Sequence, residues 1–487
     1  MYPVPKAASG FGHEDKARVM TDIAEFDLAQ AGPRVTGHGL DAWIAEAREL
    51  MKLAAPLVIT QLAQMAIMTT DVVMLGHYSA AALASAALGN TAFFFCWLIG
   101  CGPVAAVSPM IAHILGARPN DRAGVRSVVR MGFWAVLITS VPLIVLLLFV
   151  RPIMLAFGQA PELARGAGLF TSVLCFGLPF SLGYQVLRNF STALSRPKAS
   201  LYVMLLCIGF NAVADYALIF GHFGAPRLGI LGSGIASASS YTFAFLAMLA
   251  VVRLTPALRK YRIFRRFHRV HAEKLAEVFR LGLPIGLTMM FEAMLFNASM
   301  LVMGTFGMRY VDAHQIALNV PSITFMVPLG IGMAATVRVG LAAGARDGEG
   351  VRRAGYSAIA MGAGFMALTG IVLWLFPRQI ASLYFDNPAA NTDVIALAAV
   401  FLHVAAAFQI VDGIQVVSAL SLRGLKDARA PMWIAGASYW LAGAPMCVLL
   451  AFGLHMKGLG IWIGLAFGLL VAAAAMTWRF RHLSRDR

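Results

Sequence analysis

Four carboxylic acids stand deep inside apolar runs of this sequence. They are Asp71 in TTDVVMLG, Asp215 in NAVAD, Glu292 in FEAMLFNASML and Asp412 in FQIVDGIQVV. An ionised side chain at the centre of a bilayer costs roughly 2.5–3.5 kcal/mol on insertion scales, so it needs a partner or a task. No Lys or Arg stands near these acids within the runs, which leaves an exchangeable cation as the neutraliser. Carboxylate, amide and hydroxyl oxygens suit hard cations, and a proton can substitute by neutralising one acid. Asn211 and Asp215 lie four residues apart on one helix face, and with Asp71 and Ser237 they offer several oxygens that could converge. Glu292 and Asp412 form the equivalent pair farther along. A single membrane acid can be held by structural hydrogen bonds alone, but two pairs are harder to explain that way.

Other residue types point to less. His77, His113, His314 and His403 show no metal spacing and read as loop or packing histidines. The five cysteines, Cys96, Cys101, Cys175, Cys207 and Cys447, fall in apolar runs without CxxC spacing and read as small core residues. There is no nucleophile–base set, no P-loop and no ATP-binding domain, so neither an enzyme nor direct ATP coupling is expected, and no cofactor beyond the coupling ion.

The elements that must position these acids are membrane helices. The chain is 59% hydrophobic and 13% charged, with a mean hydropathy of +0.75, more apolar surface than a soluble chain of 487 residues could hide. The sequence predicts an all-α membrane protein with twelve spans near 53–75, 88–115, 129–150, 164–187, 199–221, 229–252, 281–304, 316–343, 354–377, 394–420, 430–453 and 458–478. Ahead of them, 1–40 reads as a disordered cytosolic tail, and 41–52 as a short amphipathic helix lying along the membrane surface.

Charge sorts the loops. Those after even-numbered spans hold 23 Lys and Arg, those after odd-numbered spans six. By the positive-inside rule both termini and the basic linker 253–280 are cytoplasmic, in a multi-pass inner-membrane protein. The net charge of +16 comes without any nucleic-acid-reading motif. The linker reads as a topology determinant touching anionic lipid headgroups.

The halves repeat. Shifted by 228 residues, Pro56 overlays Pro284, Gly76 overlays Gly304, and GAR at Gly116 overlays GAR at Gly344. This predicts two six-helix lobes, 41–252 and 281–480, running the same way and related by a pseudo-twofold axis along the membrane normal, with a central cleft. Under the shift Glu292 falls on Gln64 and Asp71 on Ser299, so each lobe aims a polar pair from its first helix, with the charge in a different slot. Gln64, Phe291, Ser299 and Phe408 are the expected residues of a substrate cleft.

LAAPLVITQLAQ…TTDVVMLG, RLGLPIGLTMMFEAMLF, AHQIALNVPSITFMVPLGIGMAATVRVG and FQIVDGIQVVSALSLRGLKDARAP, in this order, resemble the multidrug and toxic compound extrusion (MATE) family, in its NorM-type branch, over roughly 50–480. The resemblance implies a V-shaped pair of six-helix lobes and export of cationic or amphipathic drugs driven by inward Na⁺ or H⁺. It implies cation coupling at Asp71, at Asn211 and Asp215 with Ser237 beside them, and at Glu292 and Asp412. Na⁺ is thus an expectation at either acid group. Phe408 stands where some sodium-coupled relatives carry tyrosine, which leaves the ion open between Na⁺ and H⁺. The partners implied are small cationic substrates and the bilayer, with no obligate protein partner. Two rivals are a lipid-linked oligosaccharide flippase, which would want several arginines in the cleft, and a non-transporting membrane receptor.

Overall fold

Residues 39–485 are described by a computed structural model. Twelve helices in it are long and apolar enough to span a bilayer. In chain order they are α1 (Leu40–Tyr78), α2 (Ala80–Ala117), α3 (Arg122–Leu148), α4 (Pro161–Ala193), α5 (Lys198–Phe220) and α6 (Ile230–Leu254). Then come α7 (Ala272–Gly304), α8 (Met308–Gly344), α9 (Gly348–Leu375), α10 (Pro388–Gly424), α11 (Arg429–Gly453) and α12 (Lys457–Arg485). Nearly all of the expected tail at 1–40 lies outside the described residues.

Each predicted span has its helix, most of them longer than predicted. Caps set several starts: Asp121 Oδ1 accepts from Gly124 N at 2.7 Å, and Asp347 Oδ1 accepts from Gly350 N at 2.8 Å, closing the same turn in each repeat. Large apolar side chains such as Val141, Leu206, Leu301 and Leu441 remain more than 60% exposed, as a lipid-facing surface requires. The chain is a multi-pass membrane protein.

The segment 41–52 corrects an expectation. It is no separate surface helix but the first three turns of α1, because nothing breaks the helix there. Leu50, Leu53, Ala54 and Leu57 are buried against Ile331, Ala334 and Ala335 of α8 and Val417 and Leu420 of α10. One turn earlier, Glu46 accepts two bonds from Arg338 of α8, from Nε at 2.7 Å and Nη2 at 2.5 Å, with both side chains buried.

Two separate hydrophobic cores fill the halves, one drawn from α1–α6 and the start of α7, the other from α7–α12. The lobes meet where backbones can touch. A Cβ on Gly102 would strike the backbone of Gly282 and Gly286, and one on Gly116 that of Leu341 and Gly344. His113 Nε2 bonds Gly424 O across the same boundary at 2.8 Å. These contacts lie toward the end bearing the basic loops.

Candidate functional site: buried acids in both lobes

In the first lobe α1, α5 and α6 bring the four expected residues together. Asn211 Nδ2 donates to Asp71 Oδ1 at 3.0 Å, and Ser237 Oγ donates to Asp71 Oδ2 at 3.1 Å. Asp215, one turn beyond Asn211 on α5, is fully buried and brings its carboxyl within hydrogen-bond reach of that of Asp71. Two carboxylates cannot donate to each other, and both Asp215 oxygens lack a donor from any other group; so does Asn211 Oδ1. Three buried acceptors therefore lack a donor beside one satisfied carboxylate. Like charges about 4 Å apart repel by about 4 kcal/mol at an effective dielectric of 20, so an empty, doubly ionised pair is unfavourable. One proton shared between the acids, or one cation among these oxygens, resolves the repulsion and satisfies the acceptors.

Asp71 is partly exposed, seven residues before Tyr78 at the end of α1. At 1.5 Å rise per residue this is about 10 Å in from the end of α1 opposite the basic loops.

The second lobe is built differently. Glu292 of α7 and Asp412 of α10 are close enough to repel one another, and Arg423, at the last turn of α10, attracts Glu292 without forming an ion pair. Asp412 Oδ1 is buried without a partner. The hydroxyl of Tyr439 is also unpartnered, and its ring lies in the field of both acids. Tyr439 sits in a π-helical turn, Ala437–Gly443, that interrupts α11. Such turns widen a helix by one residue and often re-aim side chains at functional sites. No Lys or Arg among the described residues forms an ion pair with any of the four acids.

Sequence reasoning missed Tyr439 and Arg423. The signal for Tyr439 was available, because the 228-residue shift overlays it on Asn211. Arg423 was counted among loop charges, although α10 continues past it.

Two expectations need correction. Ser299 and Phe408 do not stand in an open cleft. Both are buried inside the second lobe, Ser299 Oγ donating to Phe296 O and lying 3.3 Å from His314 Nε2. Phe408 packs edge-to-face on Phe296 and Trp462. His314, expected as a loop or packing histidine, is that fully buried partner and packs edge-to-face on Trp462. The second concerns arginine, which is not confined to loops. Arg188 is buried on α4, and its Nη1 donates to Gln61 Oε1 at 2.7 Å and to Gln64 Oε1 at 3.4 Å. Gln64 thus holds a cation. Phe291 is half-buried, its ring against Gly436 of α11.

Comparison with known proteins follows the repeat. The MatE family profile matches residues 56–217 and 284–449, two stretches that begin at the overlaid prolines. The "Probable multidrug resistance protein NorM" of Mesorhizobium japonicum is 45% identical over 448 residues, 91% of this chain and 95% of that one. A protein of the same name from Brucella suis is 43% identical over 444 residues, covering 91% and 94%. Among solved structures, the eukaryotic MATE transporter AtDTX14 superposes with a TM-score of 0.80 at 22% identity, covering 91% of this chain and 98% of its own. A multidrug resistance MATE transporter described as outward-facing gives 0.80 at 19% identity, covering 91% and 96%. Two matched repeats, one fold and relatives similar over nearly the whole chain agree: this protein belongs to the MatE family, in its NorM-type branch.

Proposed function

We propose that this protein is a multidrug efflux antiporter of the inner membrane, with its basic loops and both termini in the cytoplasm. It exports cationic and amphipathic organic compounds in exchange for an inward-moving H⁺. The observation that carries this reading is the Asp71–Asp215 contact, with its three acceptors awaiting a donor. A proton entering from the end opposite the basic loops would be held between the two carboxyls. That uptake removes a negative charge which otherwise retains a cationic drug in the cleft, so drug leaves outward as the proton arrives. Loading the pair also biases the equilibrium between outward- and inward-open states by its differential affinity for them. Cytoplasmic release of the proton would restore the drug-binding charge.

Na⁺ is the second reading, favoured by Asn211 Oδ1. An unpartnered amide oxygen beside two carboxyls is a cation ligand, whereas a shared proton leaves it unused. Arg188 is the feature that favours a flippase, but Gln61 and Gln64 already engage its guanidinium.

The test is efflux of a fluorescent organic cation from proteoliposomes under an imposed pH or Na⁺ gradient. Movement driven by the pH gradient alone is the expected outcome. Movement under Na⁺ alone transfers the role to sodium, and movement under neither rejects antiport.

A further inference from the structure

The linker between the lobes does more than carry charge. Trp134 Nε1 of α3 donates to Phe267 O at 3.1 Å, and the two rings stack at 5.8 Å. Arg130 Nη1 donates to Arg266 O at 2.5 Å and to Arg265 O at 3.4 Å. Arg262 and Arg266 take φ of 47° and 59°, a left-handed conformation that non-glycine residues rarely adopt. The linker is folded and pinned against the basic end of the first lobe.

Between linker and lobe lies a cavity of about 370 Å³. Arg126, Arg130, Arg265, Arg266, Arg269 and Lys274 line it. Its one acid, Asp121, is engaged in capping α3. Arg130 is buried and repelled by Arg126, Arg266 and Arg269. Among the described residues none of the six forms an ion pair with an acid. The buried groups Arg130 Nε and Ser127 Oγ, and Arg126 Nε, have no partner.

The second lobe supplies a control. Aligned on the shared cap, Asp121 on Asp347, the second lobe has Gly348, Arg352 and Tyr356 where the first has Arg122, Arg126 and Arg130, so only one of the three basic positions recurs. The nearby Arg353 is paired with Glu349 at 3.4 Å. Fixing orientation in a membrane needs positive charge but no unpaired cluster around a hollow. We infer that this cavity is a binding site for a phosphate group, presented by an anionic phospholipid at the membrane surface or by free phosphate. Guanidinium forks match phosphate oxygens two at a time, and a buried hydroxyl donor completes the set.

The test uses full-length protein, delipidated in detergent, in native mass spectrometry with three probes. These are phosphatidylglycerol, phosphatidylcholine and inorganic phosphate. Phosphatidylcholine carries the same phosphate with a compensating cation. One phosphatidylglycerol per chain should be retained in preference to phosphatidylcholine, and R126Q/R269Q should weaken it by about tenfold. Phosphate binding without lipid preference, lost in the same variant, assigns the site to the free anion. If R126Q/R269Q does not fold, R265Q/K274Q, which leaves the buried guanidinium of Arg130 intact, should weaken binding likewise. Equal retention of the probes by wild type, or undiminished binding in a folded variant, overturns the proposal.

Discussion

The two lobes share a backbone plan and divide their chemistry. In the first, Asp71 is gripped by Asn211 and Ser237 with Asp215 against it, a compact set of oxygens spaced by hydrogen bonds. In the second, Glu292 and Asp412 have no such grip; Arg423 and the Tyr439 hydroxyl stand near without bonding them. The repeat places a donor-bearing residue at the same slot of the fifth helix in each half, Asn211 and Tyr439, but only the first makes its bond. Duplication kept the packing and let the polar sites diverge. A compact oxygen set suits a small ion, whereas loosely held acids suit a larger and more variable cation.

That contrast can be broken by experiment. The largest effect is expected from Asp215→Asn. The amide donates to Asp71 where the proposed mechanism needs an exchangeable proton, so gradient-driven efflux should fall at least about a hundredfold while the protein still folds; efflux within tenfold of wild type would sink the assignment. Glu292→Gln should act mainly on drug affinity, raising KM for cationic substrates about tenfold, equivalent to about 1.4 kcal/mol, with the proton-to-drug dependence preserved. A loss of coupling equal to that of Asp215→Asn would instead make the lobes equivalent. The smallest effect belongs to Tyr439→Phe. Its hydroxyl makes no bond, so transport should change by less than about threefold, whereas Asn211→Ala, which removes a bond to a carboxylate, should cost about tenfold or more. Measuring both in one efflux assay sharpens the comparison, because similar losses would show that Tyr439 engages an acid during transport.

Much of this arrangement was legible in the sequence. Apolar run length found every span, because a bilayer demands unbroken helical stretches. The four-residue spacing of Asn211 and Asp215 revealed a shared face, and the repeat shift supplied its partners. What stayed hidden depends on which helix faces which. Glu46 looked like a surface charge because Arg338 lies 292 positions away in sequence. Arg188 and Arg423 were read as loop charges, since hydropathy windows end at the first cation whether or not the helix does. Periodicity reports the face of one helix and is silent about the neighbour across from it. Ser299 and Phe408 were misplaced for the same reason: their helix faces point into their own lobe.

The glycine seam at the basic end has a mechanical consequence. Where Gly102 lies on Gly282 and Gly116 on Gly344, the surfaces in touch are main chain, whose amides are already paired within their own helices. Parting the seam itself uncovers little greasy area, but the patch of Leu50, Leu53, Ala54 and Leu57 against α8 and α10 would be uncovered with it. That patch and the Glu46–Arg338 clasp one turn away then together resist a swing of the halves apart.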